Sequence, residues 1–205
     1  MMGKLTVGLD EAGRGALAGP IVAAALVYRG LATEKKILAK VKDSKLLTAR
    51  QREKLSALIN ANFIFSIQAL SNKYIDRLGI QKANVLVMEQ CVLKLLPYLR
   101  QNSYVIKADY VGGAKKYLKT NLEIEFYKKG DRLHPEIAAA SIIAKVYRDK
   151  LMQKYHRQYP AYNFKQHKGY GTAEHRRSIA KSGLCPWHRR SFLIRRFQGL
   201  TPLVA

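Results

Sequence analysis

The stretch Val7-Gly-Leu-Asp-Glu-Ala-Gly-Arg-Gly-Ala-Leu-Ala-Gly-Pro20 decides how the chain begins to fold. In it an apolar run reaches two adjacent carboxylates, and a glycine-rich turn with one arginine follows them. The apolar pattern predicts a first β-strand over residues 4–10 and a second over residues 20–28, joined by this turn. Residues 62–70 are rich in β-forming side chains and predict a third strand. Three strands in succession favour an antiparallel start to a sheet.

Beyond these strands the chain alternates between helix and strand. Helices are predicted after Thr48, over 80–100, around 113–120 and from Pro135 onward, and strands over 104–109 and 122–128. Thr48 suits an N-cap and Pro135 the first position of a helix. No internal repeat or low-complexity linker interrupts the chain. The order indicates an α/β fold in which helices cover a mixed sheet.

The charge balance points to a polyanionic partner. The 205 residues include 37 Lys and Arg against 14 Asp and Glu, a formal net charge of +23. Nucleic acid is the commonest partner of so basic a protein. A basic surface without catalysis, as in a ribosomal-type protein, is the alternative that composition leaves open. No apolar run reaches the roughly 18 residues that span a bilayer, so we expect no membrane contact.

The two cysteines carry no metal-binding or disulfide pattern. Cys91 and Cys185 lie far apart, and neither belongs to a CxxC or zinc-finger spacing. We therefore expect a reducing compartment, the cytoplasm. The five histidines lack metal-ligand spacing, which favours substrate-facing or structural roles over zinc binding.

Carboxylates recur where predicted strands end. Asp10 and Glu11 close the first strand, Asp109 ends YVIKAD, and Asp131 follows LEIEFYKKG. Adjacent strand residues point to opposite faces, so Asp10 and Glu11 share a site only if the strand ends between them. Four carboxylates meeting at one end of a sheet would form a hard oxygen site for magnesium or manganese. Two such ions about 4 Å apart can activate water for phosphodiester cleavage. An ordinary acidic turn is the alternative for the first pair.

Six motifs occur together, in order, over residues 6–195, and the chain in this respect resembles the ribonuclease HII family, the type 2 ribonucleases H. They are Asp10-Glu-Ala-Gly-Arg-Gly, Gly19-Pro20, Lys42-Asp-Ser-Lys-Leu-Leu-Thr48, Ala138-Ala-Ala-Ser-Ile-Ile-Ala-Lys-Val-Tyr-Arg-Asp149, His167-Lys-Gly-Tyr-Gly-Thr172 with His175, and His188-Arg-Arg-Ser-Phe192. One such motif would be weak evidence, whereas six in sequence are highly specific.

This resemblance implies a ribonuclease H-like fold, with a mixed five-stranded sheet flanked by helices and a helical C-terminal extension. Residues 1–160 would form the catalytic core and residues 161–205 a basic helical segment packed on it, within a single domain. It implies cleavage of RNA in RNA/DNA hybrids and at single ribonucleotides in duplex DNA, leaving 5′-phosphate and 3′-hydroxyl ends. Mn²⁺ or Mg²⁺ would be held in a two-metal mechanism by the catalytic carboxylates Asp10, Glu11, Asp109 and Asp131.

The resemblance also assigns residues to the substrate. It implies that Gly13, Arg14 and Gly15 read the 2′-hydroxyl at the RNA-to-DNA junction, and that Tyr170 lies against the following deoxyribose. A surface role for Arg14 and a core role for Tyr170 are the alternatives. The competing functions are a basic nucleic-acid-binding protein without turnover, or another nuclease of the ribonuclease H superfamily such as a resolvase. We expect a monomer.

Further candidate contacts follow from helix geometry. Ser141, Lys145 and Arg148 fall within roughly 60° of one another on the helix from 135 onward. Contacts to substrate phosphates, or a buried salt bridge with Asp149 or Asp43, would each explain this polar stripe. Ser44 and Lys45 precede a helix N-terminus, where either a phosphate site or plain capping is expected. From residue 161 onward there are nine Lys or Arg and one acidic residue, which predicts that this segment binds the phosphate backbone of the duplex.

Overall fold

The computed structural model of the protein describes residues 4–41 and 47–192 and contains one five-stranded sheet in the order β3-β2-β1-β4-β5. The antiparallel pairs are β1 with β2 and β2 with β3, and the parallel pairs are β1 with β4 and β4 with β5. The predicted mixed sheet with an antiparallel start is therefore confirmed. The strands are β1 Leu5–Ala12, β2 Ile21–Tyr28, β3 Ile64–Leu70, β4 Tyr104–Asp109 and β5 Ile124–Tyr127.

Three of the four predicted helices are present, those after Thr48, over 80–100 and from Pro135 onward, and the structure adds shorter helices that the sequence did not predict. The helices are α1 Ala32–Ala39, α2 Ala49–Asn62, α3 Asn72–Leu78, α4 Ile80–Leu99, α5 Gly130–Leu133, α6 Pro135–Gln158, α7 Phe164–His167 and α8 Ala173–Ser182. Thr48 caps α2 by accepting a hydrogen bond from the Gln51 amide, and Pro135 opens α6. The helix predicted around 113–120 is only a 3-10 turn, Ala114–Tyr117, and a second 3-10 turn covers Pro160–Tyr162.

The two long helices cover opposite faces of the sheet. Leu5, Val7 and Leu9 of β1 pack into one core with α4, whereas Ala12 belongs to a second core with α6. This division follows from the strand period of two, because alternate side chains point to opposite faces. The face on which a β1 residue lies thus decides which long helix it meets.

Gly8 lets α6 approach β1 unusually closely. A Cβ added there would lie 2.2 Å from the carbonyl carbon and oxygen of Glu136. No real side chain tolerates that contact with backbone, so the absence of a Cβ sets the distance between helix and sheet. This approach brings the following turns of α6 alongside the end of β1.

A third, smaller core joins the C-terminal segment to the rest. Met152 of α6 and Ala18 pack with Tyr162, Phe164 and Cys185. The division of the chain at residue 160 stays a prediction. Cys91 and Cys185 are both free and buried. No helix within the described ranges has the length and apolar character needed to cross a membrane.

Candidate metal and nucleic-acid site

Two of the predicted carboxylates lie on neighbouring parallel strands, one residue beyond the last registered pair of those strands. The register pairs Leu9 of β1 with Ala108 of β4, so Asp10 and Asp109 follow one residue later on adjacent strands. Asp10 is only 6% exposed and faces α6, where the Ser141 hydroxyl favours its charged form. Asp109 Oδ1 accepts a 2.7 Å hydrogen bond from the amide of Gly130 in α5. The parallel pairing of β1 and β4 thus creates one half of the site.

Glu11 lies on the other face of the sheet, and here the prediction that the strand ends at residue 10 is wrong. The ladder with β2 continues through Glu11↔Ala23 to Ala12↔Val22. Glu11 therefore shares the α4 face with Leu9, and Asn84 of α4 is near enough to favour its charged form. Within the described ranges Glu11 Oε2 and both amide atoms of Asn84 are buried without a hydrogen-bond partner.

The three carboxylates still interact across the sheet. Burial raises the pKa of Asp10 well above its usual value, and the charges of Glu11 and Asp109 raise it further. Burial likewise raises the pKa of Glu11, with Arg14 and Asn84 working against the shift. Because burial and mutual repulsion both oppose ionisation, a cation placed among these groups would relieve an existing electrostatic cost.

The donor set fits a hard divalent cation, although the side chains are not assembled around one. Carboxylate oxygens are the ligands that magnesium and manganese prefer, and the buried Glu11 Oε2 lacks any donor. In residues 4–41 and 47–192, no three His, Cys, Asp or Glu side chains stand close enough to hold a metal ion. Asp131 directly follows Gly130 in α5 and is half-buried. The four-carboxylate ligand set remains a prediction.

The glycine-rich loop places its two glycines in different surroundings. Gly13 has a φ of +94°, and a Cβ there would lie 2.0 Å from Nε of Arg148. Gly15 is exposed, and a Cβ there would meet no atom within 4 Å. Between them Arg14 is half-buried, and its carbonyl accepts a 3.0 Å hydrogen bond from Nη1 of Arg189. Gly13 is therefore needed for packing, whereas Gly15 leaves an open approach to the backbone.

The polar stripe of α6 divides into three roles, two of which differ from the prediction. Ser141 faces Asp10, and Lys145 pairs with Asp149 one turn later. Arg148 was expected at phosphates or in a salt bridge, yet it is 1% exposed and donates to the carbonyls of Ala18, Pro20 and Lys168. Its guanidinium is thus turned inward beneath the glycine-rich loop, because α6 runs under that loop at this point.

Tyr170 is half-buried, with one face toward protein. The guanidinium carbon of Arg148 lies 5.3 Å from its ring centre. A half-buried ring is compatible with the predicted contact to deoxyribose and is not a core position. Ser44 and Lys45, predicted as a phosphate site, lie outside the described residues.

Three of the five histidines form a buried network, in line with a structural role. Nε2 of His175 lies 3.1 Å from Nε2 of His188, and the His167 and His175 rings stack at 4.4 Å. Burial lowers the pKa of His175 and of His188 to about 4, so both rings are neutral at physiological pH. His175 also contacts the carbonyl of Tyr170 at 3.0 Å and so supports the tyrosine's backbone.

Sequence reasoning did not single out Asn84, and it was wrong for Arg189, which it counted among the nine basic residues expected to contact the duplex although the side chain is fully buried. Asn84 carries only a weak signal, a polar residue within the apolar run of α4. Arg189 stands in the motif beginning at His188, but its burial depends on loops far away in sequence. Burial lowers its pKa to about 9, so the guanidinium remains charged at neutral pH.

Comparison with known proteins places these features in a family. The family model described as Ribonuclease HII matches residues 7–197. The curated Ribonuclease HII of Acidovorax sp. (strain JS42) is 43% identical over 189 residues, covering 92% of this chain and 85% of that protein. The ribonuclease H2 structure from Pyrococcus horikoshii OT3 has a TM-score of 0.71 and 28% identity, over 96% of this chain and all of that one (100%). Bst-RNase HIII, solved with Mn²⁺, shares the fold at 22% identity and a TM-score of 0.71, over 89% of this chain and 71% of that one. On this evidence the chain belongs to the ribonuclease HII family.

Proposed function

We propose that the protein cuts the RNA strand of RNA/DNA hybrids, and duplex DNA at single embedded ribonucleotides, leaving 5′-phosphate and 3′-hydroxyl ends. Family membership makes it a ribonuclease H that depends on divalent metal. The observation that carries the proposal is the position of Asp10 and Asp109 directly after the registered pair Leu9 and Ala108 on adjacent parallel strands, in a chain of net charge +23. An acidic centre on a basic protein suits metal-assisted attack on a bound polyanion.

The metal would be Mn²⁺ or Mg²⁺, held by Asp10, Glu11, Asp109 and Asp131. When bound, such ions supply an activated water and stabilise charge on the leaving oxygen. The chain's own part is to orient the carboxylates by hydrogen bonds, some of which also offset part of the burial effect that raises the pKa of Asp10. Ser141 and the Glu11 amide, 2.8 Å from Oδ1 of Asp10, both favour the charged form of that carboxylate. The Gly130 amide donates a 2.7 Å hydrogen bond to Oδ1 of Asp109 and so orients that carboxylate.

The glycine-rich loop would select the substrate. The open backbone at Gly15 and the half-buried Arg14 leave room for a ribose close to main-chain amides, which can recognise a 2′-hydroxyl. The exposed part of Tyr170 would stack on the adjoining deoxyribose. Arg176, Arg177 and Lys181 of α8 are exposed and would contact the duplex backbone, since phosphate neutralisation supplies most sequence-independent affinity. Lys145, Ser44 and Lys45 remain candidates for the same role.

The decisive experiment compares Asp10→Asn with the parent protein on three duplexes of one sequence: all-DNA, DNA with one ribonucleotide, and a full RNA/DNA hybrid. With Mg²⁺ or Mn²⁺ the parent should cut the second and third only, and Asp10→Asn should bind them without measurable cleavage. Glu53→Gln, at an exposed position of α2, is the matched control and should cut normally. A parent that binds but never cuts would establish the binding-protein alternative, and cleavage of a four-way junction would establish the resolvase alternative.

We further propose that the protein acts as a monomer in the cytoplasm. The two free, buried cysteines are compatible with a reducing compartment. Sedimentation at micromolar concentration should give the mass of one chain, and cell fractionation should recover the protein with cytoplasmic markers.

A further inference from the structure

Two arginines are buried beneath the glycine-rich loop. Arg148 of α6 is 1% exposed and Arg189 is 0% exposed. Between them they donate six hydrogen bonds of 2.9–3.0 Å, and every acceptor is a backbone carbonyl. The acceptors are Ala18, Pro20 and Lys168 for Arg148, and Arg14, Gly19 and Pro20 for Arg189. We call this pair and its carbonyls the arginine clasp.

The clasp carries positive charge that Asp149 and Asp76 offset only from beyond salt-bridge distance. Among the described residues, neither guanidinium forms a salt bridge. Asp149 is next to Arg148 in sequence, but its oxygen is paired with Lys145. Asp76 accepts from the amides of Arg190 and Ser191 instead. Burying two unpaired cations is costly for a fold, and a clasp that served packing alone would be replaceable by apolar side chains.

The clasp connects the loop to the segment that carries Tyr170. Arg148 binds the Lys168 carbonyl, and its guanidinium lies 5.3 Å from the Tyr170 ring centre. The amides of Leu17 and Ala18 both donate to the Gly169 carbonyl, at 2.8 and 3.2 Å. A shift of the loop would therefore move Tyr170 as well.

We infer that Arg148 and Arg189 are positioning residues for ribonucleotide recognition: they hold the Gly13–Gly15 backbone and Tyr170 in one arrangement before substrate arrives. Neither guanidinium touches the substrate in this role. The inference rests on the proposed function, because it assumes that the loop and Tyr170 contact the ribonucleotide. It adds the reason for the selectivity, which is a preformed spacing between two chain segments far apart in sequence.

Arginine-to-lysine substitutions test this role while keeping the charge. Lysine has one donor nitrogen and cannot bridge carbonyls as the planar guanidinium does. In the Asp10→Asn background, which stops cleavage, Arg148→Lys and Arg189→Lys should lower the affinity ratio between one-ribonucleotide and all-DNA duplexes at least fivefold. Affinity for all-DNA duplex should change less than twofold, since other residues grip the backbone. Arg29→Lys is the control: Arg29 bonds Glu34 and the Asn62 carbonyl beyond the far end of β2, and its loss should leave the ratio unchanged.

The outcomes separate the two proposals. If the parent does not cut the one-ribonucleotide duplex with Mg²⁺ or Mn²⁺, the proposed function fails. If the parent prefers the ribonucleotide and folded lysine variants keep that preference within twofold, the clasp has no positioning role.

Hydrogen exchange of the parent gives a test that requires no variant to fold. Without substrate, the Leu17 and Ala18 amides should exchange on the order of a thousandfold more slowly than in an unstructured peptide. Exchange at the peptide rate would show that the loop is not held in advance and would overturn the inference.

Discussion

Replacing Gly15 by alanine separates the folding role of the glycine-rich loop from its proposed role toward substrate. A Cβ at Gly15 would meet no atom within 4 Å, and the backbone there is outside the left-handed region. The substitution should leave the free energy of unfolding unchanged or raise it by up to about 1 kcal/mol, because alanine restricts the unfolded chain. Any loss of activity must then arise where substrate meets the new methyl group.

The size of that loss can be worked out from packing costs. A methyl group forced into a close contact costs about 1–3 kcal/mol. At about 1.4 kcal/mol per tenfold, this corresponds to roughly a 5- to 150-fold increase in KM for a duplex with one ribonucleotide. Gly13→Ala is the comparison. Its φ of +94° and the 2.0 Å approach to Arg148 should lower the free energy of unfolding by about 2–6 kcal/mol.

Urea unfolding followed by circular dichroism, together with steady-state cleavage at saturating Mg²⁺, measures both quantities. The expected pattern is a stable Gly15→Ala with raised KM and a destabilised Gly13→Ala. A Gly13→Ala as stable as the parent would refute the packing argument. A stable Gly15→Ala with unchanged KM would refute the close approach of substrate to this backbone.

Three further predictions concern charge and ring contacts. Because burial raises the pKa of Asp10, its ionisation lowers the stability of the fold as pH rises above the ordinary carboxyl range. Metal-free Asp10→Asn should therefore unfold at a higher urea concentration than the parent at pH 7. Mg²⁺ at 100 times its Kd should stabilise only the parent, by about 2.7 kcal/mol. His175 and His188 have pKa values of about 4 in the fold, whereas histidines of the unfolded chain protonate near pH 6.5. The free energy of unfolding should therefore decrease by up to about 3 kcal/mol per ring as pH is lowered from 6.5 to 4. His188→Asn should make the urea midpoint depend less on pH. Tyr170→Phe should keep KM for the one-ribonucleotide duplex within about twofold, and Tyr170→Ala should raise that KM about tenfold, since stacking on an aromatic ring contributes about 1–3 kcal/mol. If both variants raised KM equally, the contact would belong to the tyrosine hydroxyl and not to the ring.

The positions of most strands and long helices were predictable because they depend on local residue patterns. The strands that end at Asp109 and Tyr28, and the helices that begin at Ala49 and Pro135, all follow from residue periodicity and capping. The end of β1 was not predictable in this way. Pairing of Ala12 with Val22 extends the ladder past Asp10, and such pairing depends on a partner strand rather than on the residues themselves.

The site residues likewise divide into those that local sequence indicates and those whose role depends on distant segments. The first motif contains Asp10 and Glu11, and the end of the predicted strand YVIKAD indicates Asp109; in the fold, burial and the charges of the other two carboxylates raise the pKa of Asp10. Helical spacing groups Arg148 with Ser141 and Lys145 and so predicts phosphate contacts or a buried salt bridge for it. Spacing cannot show that three carbonyls from distant loops surround its guanidinium.

The sequence by itself determined the family, the order of helices and strands, and the carboxylates on which the chemistry depends. These are properties of residue type and local spacing, which a linear chain displays directly. Only the tertiary structure decided that Glu11 faces α4 while Asp10 faces α6, and that Arg148 and Arg189 lie buried beneath the loop. Both results come from hydrogen bonds and packing between segments separated by many residues, and such contacts exist only once the sheet has brought those segments together.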